Sequence, residues 1–166
     1  MKTIEITLYQ FSELSAESKE FALTSLWDIN VEYDWWNSTY EDAKNVGIKI
    51  TGFDMDSPTC DAKFIHSAED TILSLLSEHG ETCETYKTAL KYKETLFPLY
   101  EKDNEKDELE IENEEYNFLL QIRKDFLKIL REEYDYLISE KARIDTFESN
   151  EYWFDENGKL WNGQIE

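Results

Sequence analysis

The chain has 166 residues and carries 38 acidic against 17 basic side chains, a formal net charge of -21. So negative a surface repels phosphate backbones and anionic lipid, which argues against direct binding to nucleic acid or to a membrane surface and favours basic partners. The 24 aromatic residues, with only two Pro and five Gly, argue against disorder and against a flexible linker.

The first predicted element is a half-buried strand over 3–9, where Ile4, Ile6 and Leu8 alternate with Thr3, Glu5 and Thr7. Ser15 and Ser18, with Glu17 and Glu20 in the first turn, then open a helix over 16–28 whose apolar side is Ala22, Leu26 and Ile29. Asp34 is the expected cap of a second helix over 35–46, with Trp36, Tyr40 and Ala43 on one stripe and Gly47 as its stop. Ile48 and Ile50 continue as a strand. The apolar parity switches beyond Gly52 to Phe53 and Met55, which predicts a bulge there. Ala62–Ile65 follows as a further strand after the Ser57-Pro58 turn.

Ser67 and Asp70 form a variant capping box for a third helix with Ile72, Leu75, Leu76 and His79 on its stripe. A fourth helix carries Tyr86, Ala89, Leu90, Leu96 and Phe97, with Pro98 expected to kink or end it. The longest periodic stretch runs from about 108 to 148, through Tyr116, Leu119, Leu120, Phe126, Leu127, Leu130, Tyr134, Leu137 and Ile138, with 133–135 as the place for a break. Ile122 and Ile129 widen this stripe, as suits a core helix with several neighbours or a homodimer seam. Asn157-Gly158 between Tyr152–Phe154 and Leu160–Trp161 predicts a type I′ hairpin. The expected fold is therefore α+β. It is a mostly helical single domain with a small antiparallel sheet and one long C-terminal helix followed by a hairpin, divided into an α/β part (1–66), a helical part (67–149) and the hairpin (150–166).

The charge is unevenly placed. Residues 101–115 (EKDNEKDELEIENEE) hold nine acids and two bases, a third of the net charge, just before a nearly neutral segment. Such a run ordinarily serves as a solvated helix start. Its sharper use is as an anionic strip, made of Asp103, Glu105, Asp107, Glu108, Glu110, Glu112, Glu114 and Glu115, that docks on a basic surface. The cluster YDWWNSTY offers aromatic anchors. Trp35 and Trp36 cannot both lie on one narrow helical stripe, so Trp35 is the residue expected to be partly exposed for a partner.

Cys60, His66, His79 and Cys83 comprise all the Cys and His. Two thiolates and two imidazoles suit zinc, but only His79/Cys83 is tightly spaced, and a histidine on an apolar stripe is ordinarily core. The stretch 155–166 departs from a calcium loop at Lys159 and Leu160. Asp54 and Asp56 pair two carboxylates without a third ligand. No nucleophile elbow, phosphate loop or dinucleotide fingerprint is present. No metal, cofactor or catalytic residue is expected from these patterns, and the chain is read as a non-enzyme. Two Cys make no disulfide framework, and MKTIEITLYQ has no signal-peptide core, so the expected location is the cytoplasm.

The strings FSELSAESKEFAL, DINVEYDWWNSTYEDAKNVGIKITGFDMD and HGETCETYKTA, with a weaker echo in NEYWFDENGKLW, resemble small acidic proteins of bacteriophages and mobile elements. The resemblance covers roughly residues 8–90 and implies a phage or prophage origin. It transfers no catalytic residue. By analogy it implies counter-defence, as in anti-CRISPR inhibitors, through contact with a basic, nucleic-acid-handling host protein such as an RNA-guided nuclease. The alternatives are an antitoxin that neutralises a basic toxin and a phage accessory protein.

Overall fold

A computed structural model describes residues 1–102 and 104–164. Among them lie six α-helices and four short strands, an α+β arrangement dominated by helix. Their contacts fall into two compact units: 1–35 with 133–166, and 36–132. Neither boundary coincides with the divisions at 66/67 and 149/150 suggested by the order of elements in the sequence.

In the first unit, strand β1 (Tyr9–Gln10) precedes a short 3-10 turn and helix α1 (Ala16–Ser25). Ser15 caps α1 by accepting from the Ser18 amide at 3.2 Å. Helix α1 stops three residues short of the predicted 28, as Leu26 N–H still reaches Ala22 O while Ile29 N–H turns back to Leu26 O. The strand predicted over 3–9 survives only as Tyr9–Gln10, paired antiparallel with Phe154 and Trp153. Alternation signals a face to bury, but a strand also needs a partner of equal length, and the partner here has two residues.

The core of this unit is aromatic. Phe11, Leu14, Ala22, Phe147 and Phe154 are buried together, with Phe147 ring centroids 5.3 Å from Phe11 and 5.4 Å from Phe154. Asn30 ties its polar side: Nδ2 donates to Leu137 O at 2.9 Å, and Oδ1 accepts from Thr146 Oγ1 at 2.7 Å.

The tail closes on this core through a hairpin. Gly158 N–H donates to Asp155 O and Asp155 N–H to Lys159 O, giving a three-residue loop rather than the two-residue type I′ turn predicted at Asn157-Gly158. Gly158 alone in the loop has positive φ, +86°. The cause is Asp155, whose Oδ1 accepts from the amides of both Asn157 and Lys159 and so fixes the wider turn.

In the second unit, helix α2 (Asn37–Asn45) leads into the antiparallel pair β2 (Ile48–Asp54) and β3 (Thr59–Phe64). Asp34 does not cap α2; Trp36 occupies the N-cap position, after a bond from Trp35 N–H to Tyr33 O has already turned the chain. Gly47 ends the helix region at φ +92°, and a Cβ there would meet Thr71 Oγ1 at 2.9 Å. The bulge predicted at Gly52 is present: Ile50 pairs with Ala62 and Gly52 with Asp61, leaving Thr51 as the extra residue.

Helix α3 (Ala68–Glu78) begins at Ser67, which accepts from the Asp70 amide at 3.1 Å. Helix α4 (Glu84–Lys102) runs through Pro98 and does not end at it. Helix α5 (Glu108–Leu137) follows. It buries Phe118, Ile122, Phe126 and Leu130 at i+4 intervals, while Tyr116, read as part of the stripe, stands exposed. Arg123 Nε and Nη2 both donate to Ala62 O, at 2.9 and 2.6 Å, pinning the β-pair to α5.

The periodic stretch beyond α5 is a separate helix α6 (Glu140–Ser149), which belongs to the first unit. The break falls at Ser139 and not at 133–135, because the Ser139 hydroxyl accepts from the Ala142 amide and starts a new helix. Strand β4 (Trp153–Phe154) completes the chain order.

Candidate functional site

The acidic strip lies where α4 gives way to α5. Asn104 Oδ1 accepts from the Lys106 amide at 3.2 Å and opens a 3-10 turn, Glu105–Asp107, that feeds directly into α5. Carboxylates suit this position because the free N–H groups of a helix start carry partial positive charge.

The strip is not one uniform face. Glu105, Glu108, Glu110 and Glu112 are exposed, whereas Asp107, Glu114 and Glu115 are partly covered. At about 100° per residue, Glu108, Glu112 and Glu115 share one side of α5 and Glu110 with Glu114 another. Asp103 lies outside the described residues. Among the described residues, no carboxylate of the strip has a Lys or Arg within ion-pair distance.

Glu115 is engaged within the fold. Its Oε1 accepts from the Tyr100 hydroxyl at 2.8 Å. Burial, then the hydrogen bond to Glu115 and the charges of Glu115 and Glu69, push the Tyr100 phenol far above its usual range, so it remains a donor. Beside this contact opens a groove of about 280 Å³, lined by Glu69, Leu99, Tyr100, Asn104, Glu105, Glu108 and Ile111. Acidic residues of α3, the 3-10 turn and α5 therefore share one groove with Leu99 and Ile111. The arrangement can take the aliphatic stem and cationic head of a Lys or Arg. Glu69 and Tyr100 escaped the sequence reading; their signal is spatial and has no counterpart in local spacing.

Trp35 is not a partly exposed anchor. It is buried, with its ring 5.5 Å from that of Tyr134, whereas Trp36 is half-buried and edge-on to Phe53 at 5.7 Å. The turn preceding α2 reverses the assignment made on the assumption that both residues are helical.

The metal-ligand types do not assemble. No group of three or more His, Cys, Asp or Glu that could hold a metal occurs among the described residues. Cys60 is buried in β3 with its thiol pushed up to about 11, chiefly by burial, while Cys83 is exposed. His66 is exposed. His79 Nδ1 lies 2.6 Å from Thr85 Oγ1 and Nε2 lies 3.2 Å from Asp42 Oδ2. This acid–imidazole–hydroxyl order resembles a nucleophilic relay, but Thr85 is fully buried and offers no access to a substrate. Asp54 Oδ1 accepts from the amides of Asp56 and Ser57, so the DMD carboxylate organises a turn. Asp155 does the same in the hairpin, and Glu166 of the calcium-like stretch lies outside the described residues.

No helix among the described residues is long and apolar enough to cross a membrane. Comparison of the chain with protein-family models, curated proteins and solved structures finds no match.

Proposed function

We propose that this chain is a non-enzymatic acidic binder of phage or mobile-element origin. It acts in the host cytoplasm by occupying the basic surface of a nucleic-acid-handling host protein, in particular an RNA-guided defence nuclease. The observation that supports this most is the groove beside Tyr100, which Glu69, Glu105 and Glu108 line together and where none of the three has a Lys or Arg within ion-pair distance among the described residues. The mechanism is electrostatic competition. Carboxylates engage Lys and Arg that otherwise hold phosphates, steer association over about a Debye length, and make it salt-dependent.

The test is DNA cleavage by a purified RNA-guided nuclease from a host of such phages, with the chain added at low and high salt. The parent is expected to suppress cleavage, and less so at high salt. A variant with Glu105, Glu108, Glu110 and Glu112 all changed to Lys is expected to lose suppression while remaining cooperatively folded, with Tm lowered only by the loss of carboxylates at the α5 start. Glu115 is left intact because its bond to Tyr100 belongs to the fold. Cleavage untouched by the parent, or suppressed equally by the variant, would overturn the proposal.

A further inference from the structure

The outward side of helix α5 carries a seam of its own. Leu109, Asn113, Tyr116, Leu120, Arg123 and Leu127 recur at alternating four- and three-residue intervals, the repeat by which one helix lies along another. At about 100° per residue these positions fall on the side of α5 away from Phe118, Ile122 and Asp125, which are buried. Leu109 is 68% exposed and Tyr116 57%, and Leu120 and Leu127 are half-buried.

Charge is polarised along the same stretch. Residues 105–115 hold seven acids and one base, whereas 116–131 hold four bases and one acid, the buried Asp125. Glu110 and Lys124 stand exposed on one flank of the seam, about four turns apart. Among the described residues neither has an opposite charge within ion-pair distance.

We infer that two copies of this chain pair through this seam, with their α5 helices antiparallel about a two-fold axis near residue 118.

The register follows from matching side chains. Centred there, the pairing sets Leu109 against Leu127 of the second copy, Tyr116 against Leu120, and Asn113 against Arg123, so apolar meets apolar and polar meets polar. Arg123 keeps its bonds to Ala62 O and borders the seam through its stem. Antiparallel helices bring like flanks together. Glu110 of each copy therefore meets Lys124 of the other, twice per dimer by symmetry. Lys128 and Arg131 already have contacts with Glu84 and with Met55 O, which leaves Lys124 as the cation this flank offers.

Charge selects the occupant. A uniformly basic partner along the seam would meet Lys124, Lys128 and Arg131 at one end, and an acidic protein or nucleic acid would meet Glu108, Glu110 and Glu112 at the other. A reversed copy presents base to acid and acid to base along the whole length. The general repulsion between two chains of -21 is screened beyond about 8 Å at physiological salt, whereas the flank contacts fall inside that distance. The pairing stands apart from the acidic-binder reading and adds a condition to it: Glu110 and Glu112 are covered in the dimer and open in the monomer.

The experiment is sedimentation equilibrium of the full chain at near-physiological salt, over about 10 to 500 μM, the range suited to a small interface. A monomer–dimer equilibrium is expected. Glu110→Lys and Lys124→Glu should each weaken it by about tenfold, because each turns two attractive contacts into repulsive ones. An equimolar mixture of the two variants should recover dimer to within about threefold of the parent, since the mixed pair restores both contacts. Recovery also shows that both variants are folded. Leu109→Ser, at an exposed position, should weaken the dimer by about tenfold with an unchanged far-UV circular dichroism spectrum. A chain that stays monomeric throughout, a dimer indifferent to all three substitutions, or a mixture no tighter than either variant alone would each overturn the inference. No nuclease enters this measurement, so its failure leaves the acidic-binder reading standing, and failure of the cleavage assay leaves the dimer standing.

Discussion

The two compact units are built on different terms. The first joins segments far apart in sequence around a cluster of phenylalanines, and its polar side chains are held by long-range bonds such as Ser18 Oγ to Glu156 O at 2.6 Å. The second is continuous in sequence and buries an ionisable group, Asp125, beside Thr71, Thr85 and Thr88, whereas the buried polar residues of the first, Ser18 and Asn30, carry no charge. The contrast teaches that the cost of buried polar groups depends on hydrogen bonding in both units and also on pH in the second.

The largest expected effect comes from removing the centre of the phenylalanine cluster. Phe147→Ala should cost about 3–5 kcal/mol of unfolding free energy, through lost burial plus the cavity left behind. Hydrogen exchange should show protection lost first in α1 and α6. Equal loss in α3 and α4 would mean that the two units unfold as one and would dissolve the distinction.

Next is the hairpin tip. A Cβ on Gly158 would stand 2.1 Å from Ser18 O, a backbone atom, and the residue's φ is +86°. Gly158→Ala is therefore expected to destabilise the first unit by about 2–3 kcal/mol in denaturant titration, a strain that no flexible side chain can relieve. An unchanged midpoint would show that the hairpin contributes little to closure.

The smallest effect, and the one that sharpens the contrast, is at Asp125. Its carboxylate accepts from Thr88 Oγ1 at 2.6 Å and from Gln121 Nε2 at 3.0 Å, yet burial outweighs these bonds and raises its pKa. The folded chain therefore holds this proton more tightly than the unfolded chain does. The stabilisation from this group is complete below the unfolded value, about 3.9, and is lost as pH rises through the higher folded value. Asp125→Asn should flatten that part of the pH profile and leave stability at pH 7 equal or slightly higher. A steeper profile, or a large loss at pH 7, would show that the ionised form is the one the second unit needs.

Much of the fold was legible where the cause is local. The Ser67 cap, the stop at Gly47 and the bulge at Gly52 each follow from a few neighbouring residues, and each is present. Features decided by distant partners were not legible. The 3–9 alternation could not reveal that β4 has only two residues to offer. Nothing near Trp35 announces Tyr134, nor does anything near Glu115 announce Tyr100. Asp155 was weighed as a calcium-loop position, although its side chain sets the hairpin loop. For the candidate site, the sequence exposed the density of acid at 101–115, but Glu69 comes from elsewhere in the chain.

The discontinuity of the first unit also sets an order of events on the ribosome. Residues 36–132 contain every segment of the second unit and can begin to consolidate once they have emerged. Residues 1–35 are made before the second unit but lack Phe147 and Phe154 until about 120 further residues have been added, roughly 6–24 s at ordinary rates of synthesis. During that interval Phe11 and Leu14 lack the cover that Phe147 and Phe154 give them, so the earlier-made segment of the first unit waits for the later one to close its core.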